Sequence, residues 1–214
     1  MKLHFSPARR ATAPLALALA LLATACLEKD TSSTAYVEAD GTVTWVIMET
    51  GVRSDAHDPM EASREEEEYV RAHRSGSAPL SEALASMGGQ DIRTELLRDR
   101  VPFSSITSAR FASLEDLVRS YCEAAGWGCG AATERQGRRV TWTWTVWEVA
   151  DSTDDARAIR ALDDALGNLR VVLAEGRFVA ARGFTFEDGS ATLTPPEDDG
   201  AEPFTVSLTW EREP

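Results

Sequence analysis

Four dipeptides, Asp40-Gly41, Gln136-Gly137, Glu175-Gly176 and Asp188-Gly189, each sit between runs rich in Val, Thr, Phe or Trp. Tight turns need backbone at positive φ, which glycine adopts at little cost, so the pattern is that of antiparallel hairpins. It commits much of the chain to sheet. At the first turn, a two-residue loop would set Tyr36 opposite Trp45 and Glu38 opposite Val43. The last strand is the clearest: Phe204, Val206, Leu208 and Trp210 alternate with Thr205, Ser207, Thr209 and Glu211, giving one buried and one wet face.

Helical signals fall between the hairpins. Asp58-Pro59 supplies an N-cap and a proline at the first helical position, and Gly76 marks a stop, so a helix is expected to run to about Arg74. Ser77 and Pro79 open a shorter one with Leu80, Leu84 and Met87 on one stripe. Ser113 with Asp116 caps a third, carrying Leu114, Leu117, Val118, Tyr121 and Cys122 at helical spacing. Ser152 with Asp155 caps a fourth, with Ile159, Leu162 and Leu166 inward and Gly167 as its end. Strands over residues 92–100 and 103–109 complete the set. The expected order is ββ-αα-ββ-α-ββ-α-ββββ, an α+β fold with mostly antiparallel sheet, about four helices and one domain over residues 34–214.

The N-terminus carries an address. Lys2, Arg9 and Arg10 precede a run of Ala and Leu over residues 11–25, broken by Thr12, Pro14 and Thr24. That is the layout of a secretory signal. Fifteen helical residues reach about 22 Å, short of the roughly 30 Å hydrocarbon core. Ala23-Thr24-Ala25-Cys26 resembles the lipobox of bacterial lipoproteins, in which a dedicated signal peptidase cuts before the cysteine and the sulfur carries diacylglycerol. Leucine is commonest where Ala23 stands. Ala23-Thr24-Ala25 is also an A-x-A site, so ordinary cleavage at the same bond is the alternative. The expected division is residues 1–25 signal, 26–33 polar tether, 34–214 domain. Leu27 stands where many inner-membrane lipoproteins have Asp, which directs the expectation to the outer membrane, facing the periplasm, in a Gram-negative organism.

The chain has three cysteines, Cys26, Cys122 and Cys129. An odd count in an exported protein leaves one thiol to explain, and acylation of Cys26 explains it. Cys122 and Cys129 then form an even pair in an oxidising compartment, bridged or left as two buried thiols.

Removing residues 1–25 takes Lys2, Arg9 and Arg10 with it, lowering Lys+Arg from 22 to 19 against 35 Asp+Glu, a formal charge of −16. Such a surface repels phosphate backbones and anionic head groups, so neither a nucleic-acid partner nor peripheral docking on anionic lipid is expected; the membrane is reached through the lipid anchor, with a protein or envelope partner besides. Only Lys29 remains as a lysine, within the expected tether, which argues against lysine chemistry in the domain. His57 and His73 are the only histidines left for a general base. No Gly-x-Ser-x-Gly elbow occurs.

Thr141-Trp142-Thr143-Trp144-Thr145-Val146-Trp147 is the most unusual local run. Val140, Trp142, Trp144 and Val146 share a face, and Trp147 breaks the alternation as a bulge or a switch of buried face would. With Trp45 and Trp210 these indoles make either a ligand platform or a core. Gly126-Trp127-Gly128-Cys129-Gly130-Ala131 fits a nucleotide fingerprint in letters only, since it follows a helix and opens none. The run Glu65 to Glu68 reads as a solvated helix face, with Glu67 and Arg71 an i,i+4 pair. His57 between Asp55 and Asp58, and Asp151, Asp154 and Asp155, are weak metal candidates without a full ligand set. Arg135, Arg138 and Arg139 flank one turn. No metal or other cofactor is expected.

The cysteine, then Asp40-Gly41-Thr42-Val43, then Ala109-Arg110-Phe111-Ala112-Ser113-Leu114, resemble LppM-type envelope lipoproteins. That resemblance implies an α+β domain concerned with lipid or the envelope. The expectation is a membrane-anchored, non-enzymatic binding or scaffolding domain. A hydrophobic-ligand module built on the Trp-rich sheet is the alternative, favoured by a cavity lined with those indoles. A hydrolase is third, favoured by a cleft joining a histidine to a buried carboxylate.

Overall fold

The computed structural model describes residues 27–148, 165–167, 169–187, 189–194 and 204–213. Cys26 and the expected signal, most of the expected fourth helix with Asp151, Asp154 and Asp155, and the expected acidic loop 197–203 lie outside them.

The fold is α+β, with two sheets around one main core. The larger sheet has the strand order β3 (Gln90–Arg98), β4 (Phe103–Phe111), β2 (Val43–Ser54), β1 (Leu27–Val37), β7 (Leu169–Leu173), β10 (Ser190–Leu193) and β9 (Phe184–Glu187). The smaller runs β5 (Gly128–Gln136), β6 (Arg139–Glu148), β11 (Phe204–Glu211), β8 (Arg177–Arg182). All pairings are antiparallel except β1 with β7, which is parallel. Helices α1 (Pro59–Ser75), α2 (Pro79–Ser86) and α3 (Leu114–Ala125) fall where the caps indicate. Asp58 accepts from the Met60 amide, Ser113 accepts from the Asp116 amide, and Gly76 and Gly126 close α1 and α3 in the left-handed conformation. Residues 165–167 are helical, with Leu166 buried as expected.

Sequence and structure differ in four places. The first hairpin pairs Ala35 with Trp45 and Val37 with Val43, one residue from the expected register. Asp40 accepts from the Thr42 amide at 2.8 Å and Glu38 donates to the Thr42 carbonyl, so the loop is longer than two residues. The slip puts Ala35 and Val37 on the buried face and turns Tyr36 outward. Secondly, Glu175-Gly176 is not a hairpin: β7 belongs to the larger sheet and β8 to the smaller. A Cβ on Gly176 would stand 2.3 Å from the Glu211 carbonyl oxygen, so the chain changes sheets by passing against the end of β11. It returns at Gly183, where a Cβ would strike Val206 at 2.4 Å. Among the described residues five strands therefore follow the last helical segment, not four. Thirdly, residues 27–33, expected as a tether, are the first part of β1 and pair with β2 from Leu27 onward. Their side chains lack an apolar alternation, and the ladder is made by backbone groups that composition does not report. Fourthly, Glu65 is buried and Ser54 donates to it, so the glutamate run is not wholly solvated.

The main core joins both sheets: Val43, Trp45 and Val171 from one, Trp142, Trp144 and Leu208 from the other, with Leu84, Leu117 and Tyr121 from the helices. Trp147 is the extra residue of a bulge, since Val146 pairs with Cys129 and Glu148 with Gly128. β7 joins β1 only from Ser33 onward, so the ends of β1, β2, β4 and β3 extend beyond it. That extension carries a second small cluster of Val52, Tyr69 and Phe103 under α1.

Trp144 sits in the main core, so Trp144→Ala removes a large buried aromatic and leaves a cavity. The expected loss is about 3–5 kcal/mol, read as a lowered denaturation midpoint of the domain. A midpoint equal to that of wild type would contradict the core placement.

Candidate functional site

Strand parity builds a dense polar cluster between β2, β4 and α1. Along β2 the inward row is Val43, Trp45, Ile47 and then Glu49, before an irregularity at Thr50-Gly51 restores Val52 to the buried face. Along β4 the inward row includes Ser105 and Thr107, and Ser105 stands opposite Glu49. α1 covers this region with Glu65, Tyr69 and His73, which are buried and four residues apart and so share one helix face. β1 contributes Lys29.

Glu49 is the centre. One of its oxygens pairs with Lys29 Nζ. The other lies 3.2 Å from Ser105 Oγ and 3.3 Å from the Tyr69 hydroxyl. Tyr69 is nearer Ser105, at 2.9 Å, so the hydrogen bonds run in a chain: Tyr69 donates to Ser105, and Ser105 donates to Glu49. His73 Nδ1 lies 2.8 Å from the Tyr69 carbonyl, which can only accept, so Nδ1 holds a proton. His73 Nε2 faces Glu49 at 3.9 Å, beyond hydrogen-bond distance. Burial, then the charge of Glu49, push the Tyr69 hydroxyl well above the usual tyrosine range, while Ser105 opposes them.

A histidine does therefore meet a buried carboxylate. Yet the His73 and Glu49 side chains are 2% and 5% exposed, and the two main depressions among the described residues do not reach them. One, of about 460 Å³, lies on the outer face of the smaller sheet by Glu134, Arg139 and Thr141. The other, of about 710 Å³, lies between α1 and the β3–β4 turn, by Glu66, Arg71, Arg74 and Asp99. Both side chains are enclosed among the described residues, and the Tyr69 hydroxyl joins α1 to β2 and β4 through Glu49 and Ser105.

Of the two roles open to the indoles, ligand platform or core, the structure shows the core. Trp45 and Trp142 are fully buried, Trp144 is 2% exposed and Trp210 5%, because their parity aims them between the sheets. Cys122 and Cys129 are joined by a disulfide with α-carbons 6.2 Å apart, linking α3 to β5. His57 and Asp55 are exposed, Asp58 is occupied as the cap of α1, and no group of three metal-ligating side chains occurs among the described residues. Among those residues Arg71 has no ion pair with Glu67; α1 instead pairs Arg64 with Glu61 at 3.5 Å. Arg138 donates to the Arg212 carbonyl and Arg139 pairs with Glu211, which fixes the end of the smaller sheet.

Lys29 corrects a second expectation, since the only lysine among the described residues is an integral partner and not part of a tether. The signals that were open to reading were the polar residues at inward parity on β2 and β4 and the Glu65, Tyr69, His73 spacing.

Lys29→Met leaves a buried carboxylate uncompensated and is expected to cost about 1–3 kcal/mol, while Lys29→Met with Glu49→Met costs less than the single change. Denaturation of both variants checks this. The raised Tyr69 hydroxyl sets a pH dependence too. The folded state keeps its proton above pH 10 where the unfolded state loses one, so stability falls as pH rises past about 10, by up to about 1.4 kcal/mol per unit. Tyr69→Phe removes that part of the slope, measured by denaturation at pH 9 to 11.

No protein-family model matches the chain, and no curated protein does. Among solved structures it is similar to the NMR structure of the folded domain of LppM from Mycobacterium tuberculosis, at 15% identity over 87% of this chain and 91% of that one, with a TM-score of 0.40. A likeness at that level carries no argument about function.

Proposed function

We propose that the chain is exported by its N-terminal signal, acylated at Cys26 and held on the bacterial cell envelope, where its α+β domain acts as a non-enzymatic binding or scaffolding module. The observation that carries this reading is the Cys122–Cys129 disulfide. Disulfides persist in oxidising compartments outside the cytoplasm, and this one accounts for two of the three cysteines, leaving Cys26 to the processing signal. Several acyl chains on one residue hold a bilayer firmly, because each buried methylene contributes about 0.8 kcal/mol. Leu27 after the cysteine favours the outer membrane, facing the periplasm.

A binding or scaffolding role is favoured over catalysis by the enclosure of the Glu49 cluster. Its lysine, carboxylate and hydroxyls are spent on one another, which suits a device that holds shape.

Mass spectrometry of the N-terminal peptide tests the anchor: a diacylglyceryl cysteine at Cys26 is expected, and Cys26→Ser should move the protein from the membrane to the soluble fraction. An unmodified Cys26, or a mature chain beginning elsewhere, overturns the reading.

A further inference from the structure

The absence of a tether has a geometric consequence that rests on the anchor proposed above. β1 is paired from Leu27, the residue after Cys26, so one peptide step of about 3.8 Å separates the acylated residue from the sheet. Acyl chains in the bilayer then bring this end of the sheet to the phospholipid headgroups. Register shows what else lies there. Leu27 pairs with Ser54, and Val52 pairs with Phe103, so two residues further along the turn between β4 and β3 stands level with Leu27. Two to three inter-strand steps place it roughly 10–14 Å to the side.

That turn differs from the rest of an acidic surface. Leu97 is 53% and Val101 44% exposed, two aliphatic side chains left in water. Arg98 and Arg100 are exposed on either side of Asp99. Asp99 pairs with Arg74 at 3.8 Å, whereas Arg98 and Arg100 form no ion pair among the described residues. Guanidinium groups match phosphate oxygens in a planar fork, and aliphatic side chains beside them suit the boundary between headgroup and acyl chain. We infer that the β3–β4 turn is a second membrane contact, with Arg98 and Arg100 on lipid phosphates and Leu97 and Val101 entering the interface, so that the anchored domain stands on the bilayer in one orientation.

The test uses the full acylated chain in vesicles of phosphatidylethanolamine and phosphatidylglycerol. Val101→Cys and, at the opposite end of β1, Glu38→Cys each take a polarity-sensitive fluorophore, the native Cys122 and Cys129 being bonded to each other. Ten residues of strand separate Leu27 from Val37, about 33 Å, so the two labels report different depths. Lipids brominated on the acyl chain are expected to quench the label at 101 by about threefold or more over that at 38. Arg98→Glu with Arg100→Glu should reduce the quenching at 101 while the protein still floats with the vesicles. An acylated protein whose label at 101 is as aqueous as that at 38, or is indifferent to the arginine changes, overturns the second contact and leaves the anchor standing. An unacylated Cys26 in the same preparation overturns both.

Discussion

The inward row of β2 is the constraint on which the architecture depends. β2 is paired on both sides, by β1 and by β4, and its buried face begins as Val43, Trp45 and Ile47 in the core between the sheets. Period-two alternation then obliges the next inward residue to be buried as well, and that residue is Glu49. A carboxylate at this depth is tolerable only with partners. Lys29, Ser105 and Tyr69 supply them, one from each neighbouring strand and one from α1. The polar cluster thus follows from the same parity that builds the apolar core, and it is what α1 docks on. The irregularity at Thr50-Gly51 lets the apolar row resume at Val52, under Tyr69 and beside Phe103.

Local chemistry was legible and long-range pairing was not. Asp58, Gly76, Ser113 and Gly126 act within a few residues of themselves, so the helix ends could be read from the chain. The alternation of β6 and β11 and the bulge at Trp147 were open to reading for the same reason, because parity is a local property. Register in the first hairpin was not, since the Asp40 side chain lengthens the loop by bonding the Thr42 amide, and one residue of slip exchanges the faces of Tyr36 and Ala35. Sheet membership was hidden too. Gly176 and Gly189 look alike in sequence, yet Gly189 closes the β9–β10 hairpin while Gly176 sits where one backbone must pass another. The partner that demands glycine there, Glu211, is far along the chain.

The candidate site was missed for a related reason. Polar residues at inward positions read as breaks in a hydrophobic pattern when taken one strand at a time. Glu49, Ser105 and Tyr69 become one object only after β2, β4 and α1 are brought together. Lys29 is the sharpest instance: in a stretch with no apolar alternation, nothing local marks a residue that completes a buried ion pair with a strand partner.

Strand position also decides how an anchored domain bears load. β1 begins next to Cys26 and is an interior strand, flanked by β2 along its length and by β7 from Ser33. In the acylated form proposed above, a pull at Cys26 would run along the strand axis and load those backbone hydrogen bonds together, in shear. The parallel β1–β7 pairing is what makes β1 interior, and it joins the N-terminal strand to the part of the chain that crosses to the smaller sheet. The pairing that local patterns could not reveal is therefore the one that ties the N-terminal strand to the rest of the fold.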